Sequence, residues 1–204
     1  MSSLFPIFVK LAGRKCVVVG GGPVAEGKIE GLLTSGAHVV VVAPEVTKKI
    51  ARWSGEHRLA WHARRFQPAD LDGSFLVIVS TGVDAINESV FREADARGIL
   101  CNSVDEPERC NFYYPAVVRR GPLQIAISTG GLSPSLASRL RQELETQFGP
   151  EYERWIEQLG VLRKQALARQ KDPRRRTRLL ERLASRRAYE RFLRAERRRT
   201  GGFD

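Results

Sequence analysis

Apolar positions in this chain fall first into short unbroken runs and later into helical spacing. Residues 16–19 read CVVV, residues 38–43 HVVVVA, residues 75–80 FLVIVS and residues 99–104 ILCNSV. Runs of this length, bounded by glycine or polar turns, predict strands buried on both faces. Residues 58–63 predict one further strand, third in chain order. Helical stretches alternate with these runs, at residues 23–35, 46–53 and 84–97, with Gly36 and Gly98 as stop signals. Repeated β–α alternation predicts a parallel sheet covered on both faces, and right-handed crossovers make it an open doubly wound sheet.

The pattern changes after Val104. Residues 112–118 and 123–129 are β-rich and are separated by Arg119-Arg120-Gly121-Pro122, which predicts a hairpin. Ser133-Pro134 opens a helix, with serine as N-cap and proline in the first turn, and Gly149-Pro150 closes it. From Glu151 onward the chain reads as helix with a break at Asp172-Pro173, and the terminal GGFD is expected to fray. The expected organisation is an α/β chain: a Rossmann-like domain over residues 1–111, a β-rich region over 112–149 and a basic helical domain over 150–204. The hairpin lies beyond a complete sheet, so its open edges predict pairing with a second copy, a homodimer.

Composition narrows the class. A length of 204 residues with 42% hydrophobic content supports a sizeable core. No apolar run approaches about 18 residues, so no transmembrane helix is expected. The opening MSSLFPIFVK lacks the charge order and cleavage site of a signal peptide. Three cysteines, Cys16, Cys101 and Cys110, show no metal-ligand spacing. They predict reduced thiols in a cytoplasmic protein and no metal site. The net charge of +11 is uneven: residues 1–150 hold 17 basic and 15 acidic side chains, and residues 151–204 hold 17 and 8. Such a basic quarter is either a solvated helical face or a surface for an acidic partner. No helix-turn-helix accompanies it, which argues against nucleic acid.

The densest chemistry lies in CVVVGGGPVAEGK. Gly20, Gly22 and Ala25 occupy the G-x-G-x-x-G/A places of a dinucleotide turn, where a strand ends and a helix begins. The free N–H groups and dipole of that helix favour a pyrophosphate. The second strand ends at Ala43-Pro44-Glu45, without the usual acid at the strand end. Glu45, or the backbone of Pro44 and Glu45, is left to hold the adenosine ribose, and the balance favours NAD, although Lys48 and Lys49 also suit a 2′-phosphate. Thr81 and Gly82 follow the fourth strand at the crevice end, with Asp84 beside them as a helix cap or a crevice residue. Asp105 follows the fifth strand and is either a turn residue or a general base beside the nicotinamide. Asn102, on the same strand end, is a candidate substrate contact. Phe112, Tyr113 and Tyr114 suit a planar-ligand wall or the core. The turn from Ser128 to Pro134 suits an anion or a strand-to-helix joint. His38, His57 and His62 form no Ser-His-Asp set.

Taken in order, LFPIF, VVVGGGPVAEGK, LLTSGAHVVVVAPE, STGVD, CNSVDEPERCNFYYPAVV and LQIAISTGGLSPSLASRLRQELE resemble the dehydrogenase/ferrochelatase module of siroheme synthase, over about residues 4–145. No methyltransferase follows, so the stand-alone form is expected. The resemblance implies a Rossmann domain, a central dimerisation region and a C-terminal helical part. It also implies NAD-dependent oxidation of precorrin-2 to sirohydrochlorin, followed in many members by ferrous iron insertion; the alternatives are a dehydrogenase that leaves chelation to a separate protein, and an NAD-sensing regulator whose basic tail binds nucleic acid. The family's catalytic aspartate falls on Asp105. Its nucleotide contacts fall on the glycine turn, Pro23, Val24, Pro44 and Glu45, and its substrate-pocket serine falls on Ser128. Gly27 departs from the larger residue often found there, and the Arg-rich tail is a second departure.

Overall fold

The computed structural model describes residues 4–200, so the terminal GGFD lies outside the described residues. These residues form two compact units that divide between Tyr113 and Tyr114.

The first unit is a five-stranded parallel sheet in the order β3-β2-β1-β4-β5. Its strands are β1 (Lys15–Val19), β2 (His38–Val42), β3 (Ala60–His62), β4 (Leu76–Val79) and β5 (Leu100–Ser103). Register runs Val17↔Val40 between β1 and β2, and Val17↔Val77 between β1 and β4. Helices α1 (Pro23–Thr34) and α2 (Lys48–Gly55) cover one face through Ala25, Ile29, Ile50 and Trp53. Helix α3 (Asp84–Ala96) covers the other through Val90 and Ala94. Cys16, Val17 and Val18 are fully buried because alternate residues of one strand feed both faces.

Boundaries differ from expectation where side chains redirect the backbone. Thr47 accepts a hydrogen bond from the Ile50 amide at 3.3 Å and starts α2 at Lys48 rather than at residue 46. The third strand is cut to three residues, because only Ala60, Trp61 and His62 pair with β2. Two short 3₁₀ turns, Pro68–Leu71 and Pro107–Arg109, were not anticipated.

The second unit holds the antiparallel pair β6 (Ala116–Arg120) and β7 (Leu123–Ile127), then α4 (Pro134–Gln147), α5 (Glu151–Arg169), α6 (Pro173–Leu183) and α7 (Arg186–Thr200). Residues 112–115, expected in the hairpin, are not strand. Ser133 caps α4 by accepting from the Leu136 amide at 3.3 Å. Arg120 reaches the other end of α4, donating to the Phe148 and Glu145 carbonyls at 2.7 and 3.0 Å. That places a cation on the negative end of the helix dipole. Tyr152, Trp155, Tyr189 and Phe192 form an aromatic cluster between α5 and α7, with ring centroids 4.7–6.4 Å apart. A second helix break, at Ala184 and Ser185, separates α6 from α7 and was not read from the sequence.

Candidate functional site

In the first unit the chain leaves β1 toward β2 on one side and crosses back to β4 on the other, so the strand order reverses beside β1. The crevice outside the C-terminal ends of β1 and β4 is the ligand position of such sheets. Three loops are drawn together there. The Gly20 amide donates to the Val42 carbonyl at 3.0 Å, the Ser80 amide to Val19 at 2.8 Å and the Thr47 amide to Gly21 at 3.0 Å. Gly20 has φ +117°, and a Cβ on it would stand 2.1 Å from the Ser80 carbonyl oxygen. A Cβ on Gly21 would stand 2.4 Å from the Glu45 carbonyl oxygen. Both glycines are therefore required for the loops to close.

Gly22 is different. A Cβ there meets nothing within 4 Å, and Gly22 caps α1 without any side-chain hydrogen bond. The first turn of α1 thus presents an uncapped positive end to an open cradle, beside exposed Pro23 and Val24. These residues fit the pyrophosphate of a nicotinamide dinucleotide. Pro44 and Glu45 are exposed beside the turn, whereas Ala43 is buried. Of the two lysines that follow, Lys49 is held by Glu30 at 3.1 Å and lies 4.9 Å from the Trp53 ring centre, and Lys48 is exposed. The cofactor that fits is NAD.

Thr81 and Gly82 stand across the crevice. The Thr81 hydroxyl donates to Asn87 Oδ1 and accepts from the Val83 amide at 3.2 Å. Val83, not Asp84, is the N-cap of α3, and Asp84 instead pairs with Arg109 at 2.6 Å. Asp105 is exposed in the loop after β5 with φ +63°, a left-handed conformation that aspartate tolerates. Lys28 on α1 lies close enough to feel it: burial pushes the Lys28 ammonium below its usual value, and the charge of Asp105 opposes that shift.

A polar network anchors the Asp105 loop. Ser103 Oγ donates to Glu106 Oε2 at 2.6 Å, and Asn87 Nδ2 donates to Glu106 Oε1 at 3.1 Å. Arg109 contacts Glu106, Asp84 and Glu88 at 3.1, 2.6 and 2.9 Å. The Ser103 hydroxyl leads in holding the Glu106 carboxyl below its usual range, with Asn87 and Arg109 adding to it against the effect of burial. Sequence reasoning missed Gly21, Asn87, Ser103, Glu106 and Arg109. The run of three glycines was the only signal for any of them.

Other candidates hold structural partners. Asn102 is buried, and its amide donates to the Phe112 carbonyl at 2.9 Å. Phe112 packs on the α1 face of the core. The Tyr113 hydroxyl donates to Pro107. Cys110 donates to the Ser103 and Glu106 carbonyls, and burial pushes its thiol up. Burial likewise pushes Cys16 to about 11 and Cys101 to about 12. Ser128 belongs to the second unit, exposed in the turn after β7, where its hydroxyl accepts from the Gly130 amide at 3.1 Å. Among the described residues, no group of three or more His, Cys, Asp or Glu side chains is placed to hold a metal, and no helix is long and apolar enough to cross a membrane.

Residues 7–116 match the family model described as "Putative NAD(P)-binding", and residues 120–147 match "Sirohaem biosynthesis protein central". The siroheme synthase of Methylobacillus flagellatus is 46% identical over 149 residues, covering 73% of this chain and 32% of the relative. That of Photorhabdus laumondii is 45% identical over 140 residues, covering 69% and 30%. The chain spans about a third of the length of these curated relatives. A solved structure titled SirC, precorrin-2 dehydrogenase, superposes with TM-score 0.77 at 29% identity, covering 90% of each chain. The glycine turn, the open cradle at α1 and these matches agree, and the chain belongs to the NAD(P)-binding family whose module the siroheme synthases share.

Proposed function

We propose that the protein is an NAD-dependent dehydrogenase of siroheme biosynthesis that oxidises precorrin-2 to sirohydrochlorin. The observation that carries this reading is the uncapped start of α1 at Gly22, opening on the crevice that also receives the Asp105 loop. The likeness in fold and sequence to a precorrin-2 dehydrogenase over 90% of both chains supports the substrate.

Removing two electrons from a reduced tetrapyrrole releases a hydride and a proton. When bound, NAD supplies the hydride acceptor. The chain supplies the rest. Gly20, Gly22, Pro23 and Val24 seat the pyrophosphate, Pro44 and Glu45 the adenosine side, and Thr81 and Gly82 the opposite wall. Asp105 accepts the proton as general base. Its exposed position suits a large substrate that arrives from solvent. Asn102 acts on the substrate side through the segment its side chain holds, and Ser128 is the candidate substrate contact of the second unit. Lys28 adds positive charge beside Asp105, which favours a substrate rich in carboxylates.

The same reading includes a homodimer through the β6–β7 pair, a cytoplasmic location supported by three free thiols, and ferrous iron as a second substrate inserted with Asp105 taking pyrrole protons. Anaerobic incubation with precorrin-2 and NAD tests the main reaction. Appearance of the sirohydrochlorin absorption only when NAD is present is expected. No conversion by folded protein at saturating NAD would refute it.

A further inference from the structure

We propose that Asn87 is a positioning residue that ties the nucleotide-facing turn at Thr81 to the loop carrying Asp105. The proposal rests on the dehydrogenase reading above. Asn87 lies on α3 and is only 5% exposed. A buried amide is retained at little cost only when its polar atoms are bonded. Here both ends are used, and they are used on two different loops. Oδ1 accepts from the Thr81 hydroxyl, and Nδ2 donates to the Thr81 carbonyl at 3.3 Å and to Glu106 at 3.1 Å.

Glu106 is the neighbour of Asp105, and its second oxygen takes the Ser103 hydroxyl at 2.6 Å. The Ser103–Glu106 contact therefore spans Asp105, and the Glu106 amide closes the same turn onto the Ser103 carbonyl at 3.3 Å. Asp105 sits at the centre of this clamp with φ +63°. Arg109 fixes the far side of Glu106 to Asp84 and Glu88 on α3. Asn87 is thus the side chain through which the nucleotide turn and the base-bearing loop share one position. A misplacement of about 1 Å in such a pair costs up to about 10²-fold in rate.

Two variants separate the donor from the side-chain volume. Asn87→Asp keeps the shape and the acceptor toward Thr81 but turns an anion toward Glu106. Asn87→Ala removes both links. Each is compared with wild type by NAD calorimetry, by oxidation rate at saturating NAD and by thermal melting. Both variants are expected to bind NAD about 3- to 10-fold more weakly and to oxidise about 10- to 100-fold more slowly while remaining folded at the assay temperature. In an Asp105→Asn background, Asn87→Asp is expected to cost no further rate, because the group it positions no longer acts. A wild-type rate and affinity with only a lowered melting temperature would overturn the proposal, as would a fully additive loss in the double variant. If Asp105→Asn alone is silent, the base reading fails on its own. The Asn87 link to Thr81 is then decided by calorimetry, where unchanged NAD affinity overturns it and the stated loss sustains it.

Discussion

Replacing Gly22 by aspartate separates the ligand role of the glycine turn from its structural role. A Cβ at Gly22 meets no protein atom within 4 Å, so the side chain enters the cradle without a clash. Aspartate is at least as good an N-cap as glycine, by a few tenths of a kcal/mol, and its charge complements the uncapped end of α1. Stability is therefore expected to stay within about 0.5 kcal/mol of wild type. Binding is a different matter. A carboxylate about 5 Å from one pyrophosphate charge, at an effective dielectric constant of about 20, repels it by about 3 kcal/mol. At about 1.4 kcal/mol per decade this is roughly a hundredfold loss or more. Isothermal titration with NAD, beside a melting curve of each protein, reads both quantities. Gly22→Ala, which adds volume without charge, should fall between the two. Affinity within threefold of wild type for Gly22→Asp would show that the pyrophosphate does not lie at this turn. A collapsed melting temperature would show that the open cradle is not open.

Three further outcomes follow from the same structure. Burial opposes ionisation of Asp70, but bonds from Arg64 at 2.6 and 2.9 Å and from the Gln67 amide outweigh it and hold the carboxyl below its usual range. Because the folded value is depressed, this stabilisation is present at neutral pH and is lost as pH falls through the folded value. Asp70→Asn should cost about 2–3 kcal/mol at pH 7, with the wild-type and variant melting curves converging in acid; a constant gap down to pH 2 would contradict this. Light scattering at micromolar concentration should give a dimer, and a monomer would remove the proposed role of the β6–β7 pair. Iron insertion, assayed anaerobically with sirohydrochlorin and ferrous iron, should fall with oxidation in Asp105→Asn; intact insertion would divide the two reactions between residues.

The strands of the first unit were legible because a sheet covered on both faces demands consecutive apolar residues, and the short β-branched runs CVVV and HVVVV suit a strand better than a helix. The glycine turn was legible because Gly20 and Gly22 sit where such a strand ends. Gly21 was not, since its need arises from the Glu45 carbonyl, 24 residues away in sequence, which only folding brings near. The network about Glu106 was hidden for the same reason. Asn87 and Arg109 carry no local signal: beside their near partners Thr81 and Glu106, they reach Glu106 and Asp84 across 19 and 25 residues of sequence. Residues 112–115 have the aromatic content of a strand, but Phe112 is drawn into the core of the first unit and the ladder begins only at Ala116. The break between α6 and α7 lacks glycine or proline. It is made by Ser185, whose hydroxyl accepts from the Ala188 amide at 3.3 Å and restarts the helix.

The central claim is that the crevice carries out NAD-dependent oxidation with Asp105 as base, and the Asp105→Asn variant tests it most directly. Asparagine keeps the shape and the turn preference of aspartate but accepts no proton. With precorrin-2 and saturating NAD under anaerobic conditions, the account predicts a rate about 10²- to 10⁴-fold below wild type, with NAD affinity unchanged by calorimetry. A wild-type rate in that variant would contradict it.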